Sequence, residues 1–163
     1  MLGVMRRIVP VVALVALAAG CGGHTATPRQ DPGQFAVKMV TLIVHNHYAQ
    51  AWNDLHPADR QVAPLTEYVA CESRSPVLTA PTSMKVVGVS DESVGLGNGH
   101  FVQSKAVRVR IRFAGQKNVL VHTVHVVDER GGWKWILPSW RFRDYRADRC
   151  PIDAGSSPPP TSA

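Results

Sequence analysis

The chain has 163 residues, 45% hydrophobic and 18% charged, with a formal net charge of +6. This composition excludes a fibrous or wholly disordered chain and suits one domain, which at such a length buries roughly two-thirds of its unfolded surface. The positive excess is too mild for a nucleic-acid-binding signature.

Arg6 and Arg7 precede an apolar run, Ile8 to Leu17, interrupted only by Pro10, and small residues follow at Ala18, Ala19 and Gly20. That order is a secretory signal peptide. The run is about half the ~20 residues a spanning helix requires. Cys21 comes next, followed by two glycines. Ala18-Ala19-Gly20-Cys21 resembles the lipobox of bacterial lipoproteins. It departs at Ala18, where the pattern more often has Leu; here the Leu stands one position earlier, at Leu17. The resemblance implies diacylglyceryl transfer to the Cys21 thiol and cleavage before it. The mature chain is then anchored at the extracytoplasmic face of the cell membrane. Two acyl chains give stable attachment where one binds only marginally. The alternative is ordinary secretion after Ala19 or Gly20, with a free thiol at Cys21.

Loss of the leader removes Arg6 and Arg7 and no carboxylate, lowering +6 to +4. A charge of this size favours anionic lipid or cell-wall polymer by a small, salt-sensitive amount. With Cys21 lipidated, Cys71 and Cys150 remain, 79 residues apart. An even pair in an oxidising compartment is expected to form a disulfide. Two free buried thiols are the alternative.

Residues 22–29, rich in Gly, Thr and Pro, read as a tether, and residues 154–163 read as a Ser/Pro tail without a packed element. The folded domain is expected over residues 31–153. Asp31, Pro32 and Gln34 form a helix start. Apolar residues at Phe35, Met39, Leu42, Ile43, Ala49, Trp52 and Leu55 predict one long helix reaching Leu55. Asn46 interrupts its stripe. Pro57 opens a short helix to Val62, Pro64 breaks the chain, and Thr66 caps a third helix, Glu67 to Cys71.

After Ser75-Pro76 the period becomes two. Met84 to Ser90, Lys105 to Phe113, Val119 to Val127 and Trp133 to Leu137 read as strands, with a tight turn at Arg130-Gly131-Gly132. Helices followed by antiparallel strands make an α+β pattern, helices packed on one face of a sheet. The segments Ala51–Pro57 (AWNDLHP), Asp59–Cys71 (DRQVAPLTEYVAC) and Gly131–Leu137 (GGWKWIL) carry a resemblance to the cystatin-like, nuclear-transport-factor-2-like superfamily. They are similar to small exported actinobacterial lipoproteins of that superfamily. The resemblance covers residues 34–140. It implies a cone: a long N-terminal helix and short helices on a curved antiparallel sheet, with Val77 to Thr79 as the candidate first strand. Ketosteroid isomerases and polyketide cyclases in the superfamily place an Asp base and Tyr or Asp donors in the cone. Other members bind ligands there or partners on the sheet, and many pair through the sheet into homodimers. Fold alone does not choose among these.

The catalytic candidates under that resemblance are Asp54 as general base with Tyr48 or Tyr68 as donor. The bland alternative for Asp54 is a polar helix terminus. Seven histidines raise a metal reading. His45 and His47 diverge on a helix, and His122 and His125 face opposite sides of a strand. No HExxH or CxxC spacing occurs, so no metal or cofactor is expected. Arg108, Arg110 and Arg112 share one strand face and would be costly to bury unpaired. They line a solvated face or a partner-binding surface, extended by Lys85 or Lys134 according to register. Trp133, Trp135 and Trp140 read as core, with Trp52 as partner. The leading expectation is a non-catalytic binding or scaffolding module meeting anionic lipid, wall polymer or an envelope protein. The alternatives are an isomerase- or cyclase-type enzyme, or a structural accessory subunit of an envelope complex.

Overall fold

The computed structural model describes residues 30–97 and 99–151. The elements run α1 (Pro32–Val44), α2 (Tyr48–Asn53), α3 (Pro57–Val62), α4 (Leu65–Glu72), β1 (Pro81–Gly95), β2 (Phe101–Phe113), β3 (Leu120–Glu129), β4 (Gly132–Ile136) and α5 (Ser139–Arg146). The four strands form one antiparallel meander in chain order, β1-β2-β3-β4. The α+β class and the order of helices then strands follow the sequence expectation. No helix among the described residues is long and apolar enough to cross a membrane.

The single long N-terminal helix is corrected. Asp31 caps α1 as read, its carboxylate accepting from the Gln34 N–H at 3.0 Å. The helix then stops at Val44. Asn46 takes φ 61°, a left-handed conformation that Asn tolerates better than most residues. Its side chain is drawn into a long-range clamp. Nδ2 donates to the Val77 carbonyl, while Oδ1 accepts from the Val77 N–H and from the Tyr48 hydroxyl. A new helix, α2, starts directly after the break. Val77 is therefore a clamped loop residue, and residues 77–79 form no strand. The third short helix begins at Leu65, so Thr66 lies within its first turn and Pro64 holds the cap position.

α1 lies across the sheet and touches all four strands. Its buried face, Phe35, Met39, Val40 and Val44, meets Val107, Val109 and Ile111 of β2, Val124 and Val126 of β3, and Trp135 of β4 in one core. Trp133 and Trp52 pack against this core, whereas Trp140 stands half-exposed on α5 and does not join it. The turn between β3 and β4 is Arg130-Gly131, with φ 51° and 86°. Both central residues thus have the positive φ that a tight two-residue hairpin demands. The β4 edge is covered, not open. Trp135 donates to the Asp54 carbonyl at 3.0 Å and its own carbonyl accepts from His56 at 2.9 Å. Covering an edge in this way blocks pairing with other chains.

α5 has no counterpart among the elements that the sequence pattern predicts. Its sequence, SWRFRDYR, is mostly polar, and only Phe142, Asp144 and Tyr145 turn inward. Phe142 packs on Gly97, where φ is 71° and the ring occupies the space of any Cβ. The sulfurs of Cys71 and Cys150 lie at disulfide distance with Cα atoms 5.1 Å apart, joining α4 to the segment after α5.

Asp59 ties α3 to the start of α5. It is fully buried, and its Oδ2 accepts from the Leu137 N–H at 3.0 Å, while Oδ1 has no partner among the described residues. Burial outweighs that one hydrogen bond and pushes its pKa up to about 7. In the unfolded chain the carboxyl ionises near 3.8, so the folded state retains the proton over the interval between. Stability from this group is complete below about pH 4 and declines as pH rises to about 7. The cost is on the order of 4 kcal/mol at neutral pH. Asp59→Asn keeps an acceptor for Leu137 and cannot ionise. The variant is expected to exceed the wild type by about 1–2 kcal/mol at pH 8, less than the full cost because its buried amide lacks an acceptor. Urea midpoints at pH 4.5 and pH 8 check this. An unchanged difference between the two proteins at both pH values would show that Asp59 folds ionised.

Candidate functional site

The outer face of the sheet, opposite α1, carries the most distinctive chemistry. Strand alternation sends Val107, Val109 and Ile111 inward to the core and Arg108, Arg110 and Arg112 outward to solvent. Register now settles their neighbours. Lys85 of β1 and Val121 of β3 stand opposite Arg110, and Gly88 and Thr123 stand opposite Arg108. The Arg108 guanidinium lies over Gly88, within 2.5 Å of where a Cβ would sit, so glycine makes room for it. No ion pair or hydrogen bond from the side chains of Lys85, Arg108, Arg110 or Arg112 occurs among the described residues. Like charges directly opposite each other destabilise a sheet. Lys85 and Arg110 are such a pair. Lys134 does not extend the patch, because it turns to Asp54 at 3.6 Å and to the Asn53 carbonyl.

The catalytic candidates are dispersed. Asp54 closes the end of α2 and pairs with Lys38 at 2.9 Å as well as with Lys134. The Tyr48 hydroxyl donates to Asn46 at 2.6 Å. Tyr68 is 1% exposed, rests edge-on against Trp135 and also contacts the tilted Tyr145 ring. No hydrogen bond joins Asp54 to either tyrosine among the described residues. Burial raises the pKa of Tyr48 and Tyr68, and the Glu72 carboxylate adds to it, so both phenols stay neutral. His45 and His47 flank Asn46 with ring centroids 6.3 Å apart and tilted. His122 lies on the helix-facing side of β3 opposite Val109, and His125 on the outer side opposite Ala106 and Ile136.

Two features escaped the sequence reading, both because they depend on α5. One is a buried group in which Glu72 Oε1 accepts from Tyr145 at 2.7 Å and from Arg141. The other is an open cleft of about 550 Å³ between the β1–β2 hairpin and α5, lined by Glu92, His100, Phe101, His125, Ser139 and Arg143. Behind the lining residue His125, Ser104 lies 3.2 Å from its Nδ1, and Glu92 Oε2 lies 3.9 Å from its Nε2. This imitates a Ser-His-acid relay, but Ser104 donates its only hydroxyl proton to the Glu92 carbonyl at 2.9 Å. The hydroxyl is also buried, at 4% exposure. Ser104 thus orients the imidazole and is not presented as a nucleophile. Among the described residues, no group of three or more His, Cys, Asp or Glu gathers as metal ligands. No family model, characterised protein or solved structure matches the chain.

Proposed function

We propose that this chain is an extracytoplasmic lipoprotein, anchored through Cys21, whose nuclear-transport-factor-2-like domain is a non-catalytic binding module. Its outer sheet face engages a polyanion of the cell envelope. The observation that carries this reading is the uncompensated row Arg108, Arg110 and Arg112 with Lys85 set directly against Arg110. A sheet that served stability alone would not oppose like charges without a counter-ion. Guanidinium groups suit phosphate and carboxylate partners through paired N–H donors. The Cys71–Cys150 pair supports an oxidising location. Cys21 itself lies outside the described residues. The same cations work against pairing two copies through this face, since a two-fold contact sets the patch against itself.

The mature wild-type chain is expected to be retained on immobilised polyphosphate at about 0.15 M salt, where exposed charges act over roughly 8 Å. Arg108→Glu with Arg110→Glu is expected to abolish retention without lowering the melting temperature. Equal retention of both proteins would dismiss the arginine face as the binding surface. Cys21→Ser is expected to move the protein from the membrane fraction to the medium, and unaltered fractionation would contradict the anchor.

A further inference from the structure

The sheet is polarised along its length. Residues 73–90 and 106–127 contain six cations, Arg74, Lys85, Arg108, Arg110, Arg112 and Lys117, and no Asp or Glu. Asp91, Glu92, Asp128 and Glu129 all lie at the opposite end, in the far halves of β1 and β3, where Lys105, Arg130 and Lys134 offset most of their charge. Apolar side chains are left in water at this basic end in a cluster, whereas the far end exposes Phe101 at 73%. Val119, Leu120 and Val121 are three consecutive exposed apolar residues, the last two each 50% exposed. Leu120 projects on the α1 side of the sheet, opposite Ile111, and Val121 on the outer side, opposite Arg110. A hairpin end facing only water would have a polar side, and such runs are errors unless they have a use. Leu78 is 91% exposed at this same end, just before Pro81 pairs with Phe113. It is not a slack loop residue. The Asn46 side chain bonds both the N–H and the carbonyl of Val77, so Leu78 is held out from a fixed neighbour.

We propose that this basic end docks the domain on the anionic phospholipid surface of the bilayer, Leu78 and the Val119–Val121 run entering the headgroup layer. The inference rests on the polyanion reading above and names its partner. Cations around an apolar tip match both halves of such an interface. The charges meet the negative surface potential, and the apolar groups leave water. The opposite end carries nearly balanced charge, so the basic end sets the orientation. The anchor permits it. Gln30 is held at the opposite end, its carbonyl accepting from Trp133. The chain from Cys21 to Gln30 reaches about 30 Å when extended. Along β3, from Asp128 opposite Trp133 to Val121, the rise is about 24 Å.

The test uses the mature chain carrying Cys21→Ser, so that no acyl chain contributes. It should sediment with phosphatidylglycerol/phosphatidylcholine vesicles, not with phosphatidylcholine alone, and salt should weaken the binding. Leu78→Ser with Leu120→Ser should weaken it about ten-fold or more, with polyphosphate retention and melting temperature unchanged. Leu78→Ser alone, at a side chain almost wholly in solvent, guards against a folding defect and should give part of that loss. Full vesicle binding by both leucine variants would overturn the inserted tip. Absence of vesicle binding in a protein still retained on polyphosphate would overturn the bilayer as partner and leave the polyanion reading standing. Loss of both would remove the two together.

Discussion

Replacing Cys71 and Cys150 together by serine is expected to lower the unfolding free energy by about 4.5 kcal/mol, the chain-entropy value for so long a loop. The bridge spans 79 residues, and all four strands lie between its ends. Without it the unfolded chain regains the freedom that the cross-link removes. The native side adds a smaller loss in the same direction. Cys71 is 3% exposed and Cys150 is 8% exposed, so two serine hydroxyls enter a site built for sulfur. Domains of this size have a total stability of only about 5–15 kcal/mol. The variant is therefore expected near the edge of folding at 37 °C. Urea denaturation of wild type, reduced wild type and double variant checks this. The reduced and substituted proteins should coincide within about 1 kcal/mol. A double variant with the wild-type midpoint would show that the pair is not bridged in the folded protein.

Local pattern and structure part where long-range contacts override local preference. Strands were the most legible element, because a two-residue period with β-branched residues has few other readings, and Lys105–Phe113 falls within β2 (Phe101–Phe113). The break of the first helix was visible only as an anomaly. Asn46 spoiled the apolar stripe, but its reason is Val77, thirty-one residues away. α5 lacked an apolar stripe altogether, since its place depends on Glu72 and Gly97 rather than on its own periodicity. Missing α5 meant missing the Glu72 cluster and the His125 cleft. The arginine row was legible in full, because alternation alone decides which face it takes. Its neighbour Lys85 was legible only as one of two candidates beside Lys134, since register depends on the bulge between Val86 and Gly88.

The second large effect lies beside the bridge, at Glu72. This side chain is 6% exposed, and its Oε1 accepts from both Arg141 and Tyr145 across the α4–α5 contact. Burial opposes the Arg141 charge, but the Glu72 carboxylate and its hydrogen bond outweigh it and raise the guanidinium pKa. Arg141 Nε has no hydrogen-bond partner among the described residues, so apart from the Trp140 ring 5.4 Å away the guanidinium depends on this carboxylate. Glu72→Gln keeps shape and one acceptor but removes the compensating charge. It is expected to cost about 3–5 kcal/mol, the range for breaking a buried ion pair from one side. Restoring neutrality should recover most of it. Glu72→Gln combined with Arg141→Met is expected to lie closer to wild type than Glu72→Gln alone, because an apolar replacement of the cation needs no partner. The resulting double-mutant cycle should give a coupling of about 1–3 kcal/mol. Additive losses would mean that the two side chains do not share an ion pair in solution. Because Glu72 adjoins Cys71, the same variants in the reduced protein separate two roles. The covalent link limits how far α5 can leave, whereas the ion pair decides whether it stays docked. A Glu72→Gln loss that grows on reduction is the expected sign that α5 then opens alone, exposing Tyr68 and Tyr145 before the sheet unfolds.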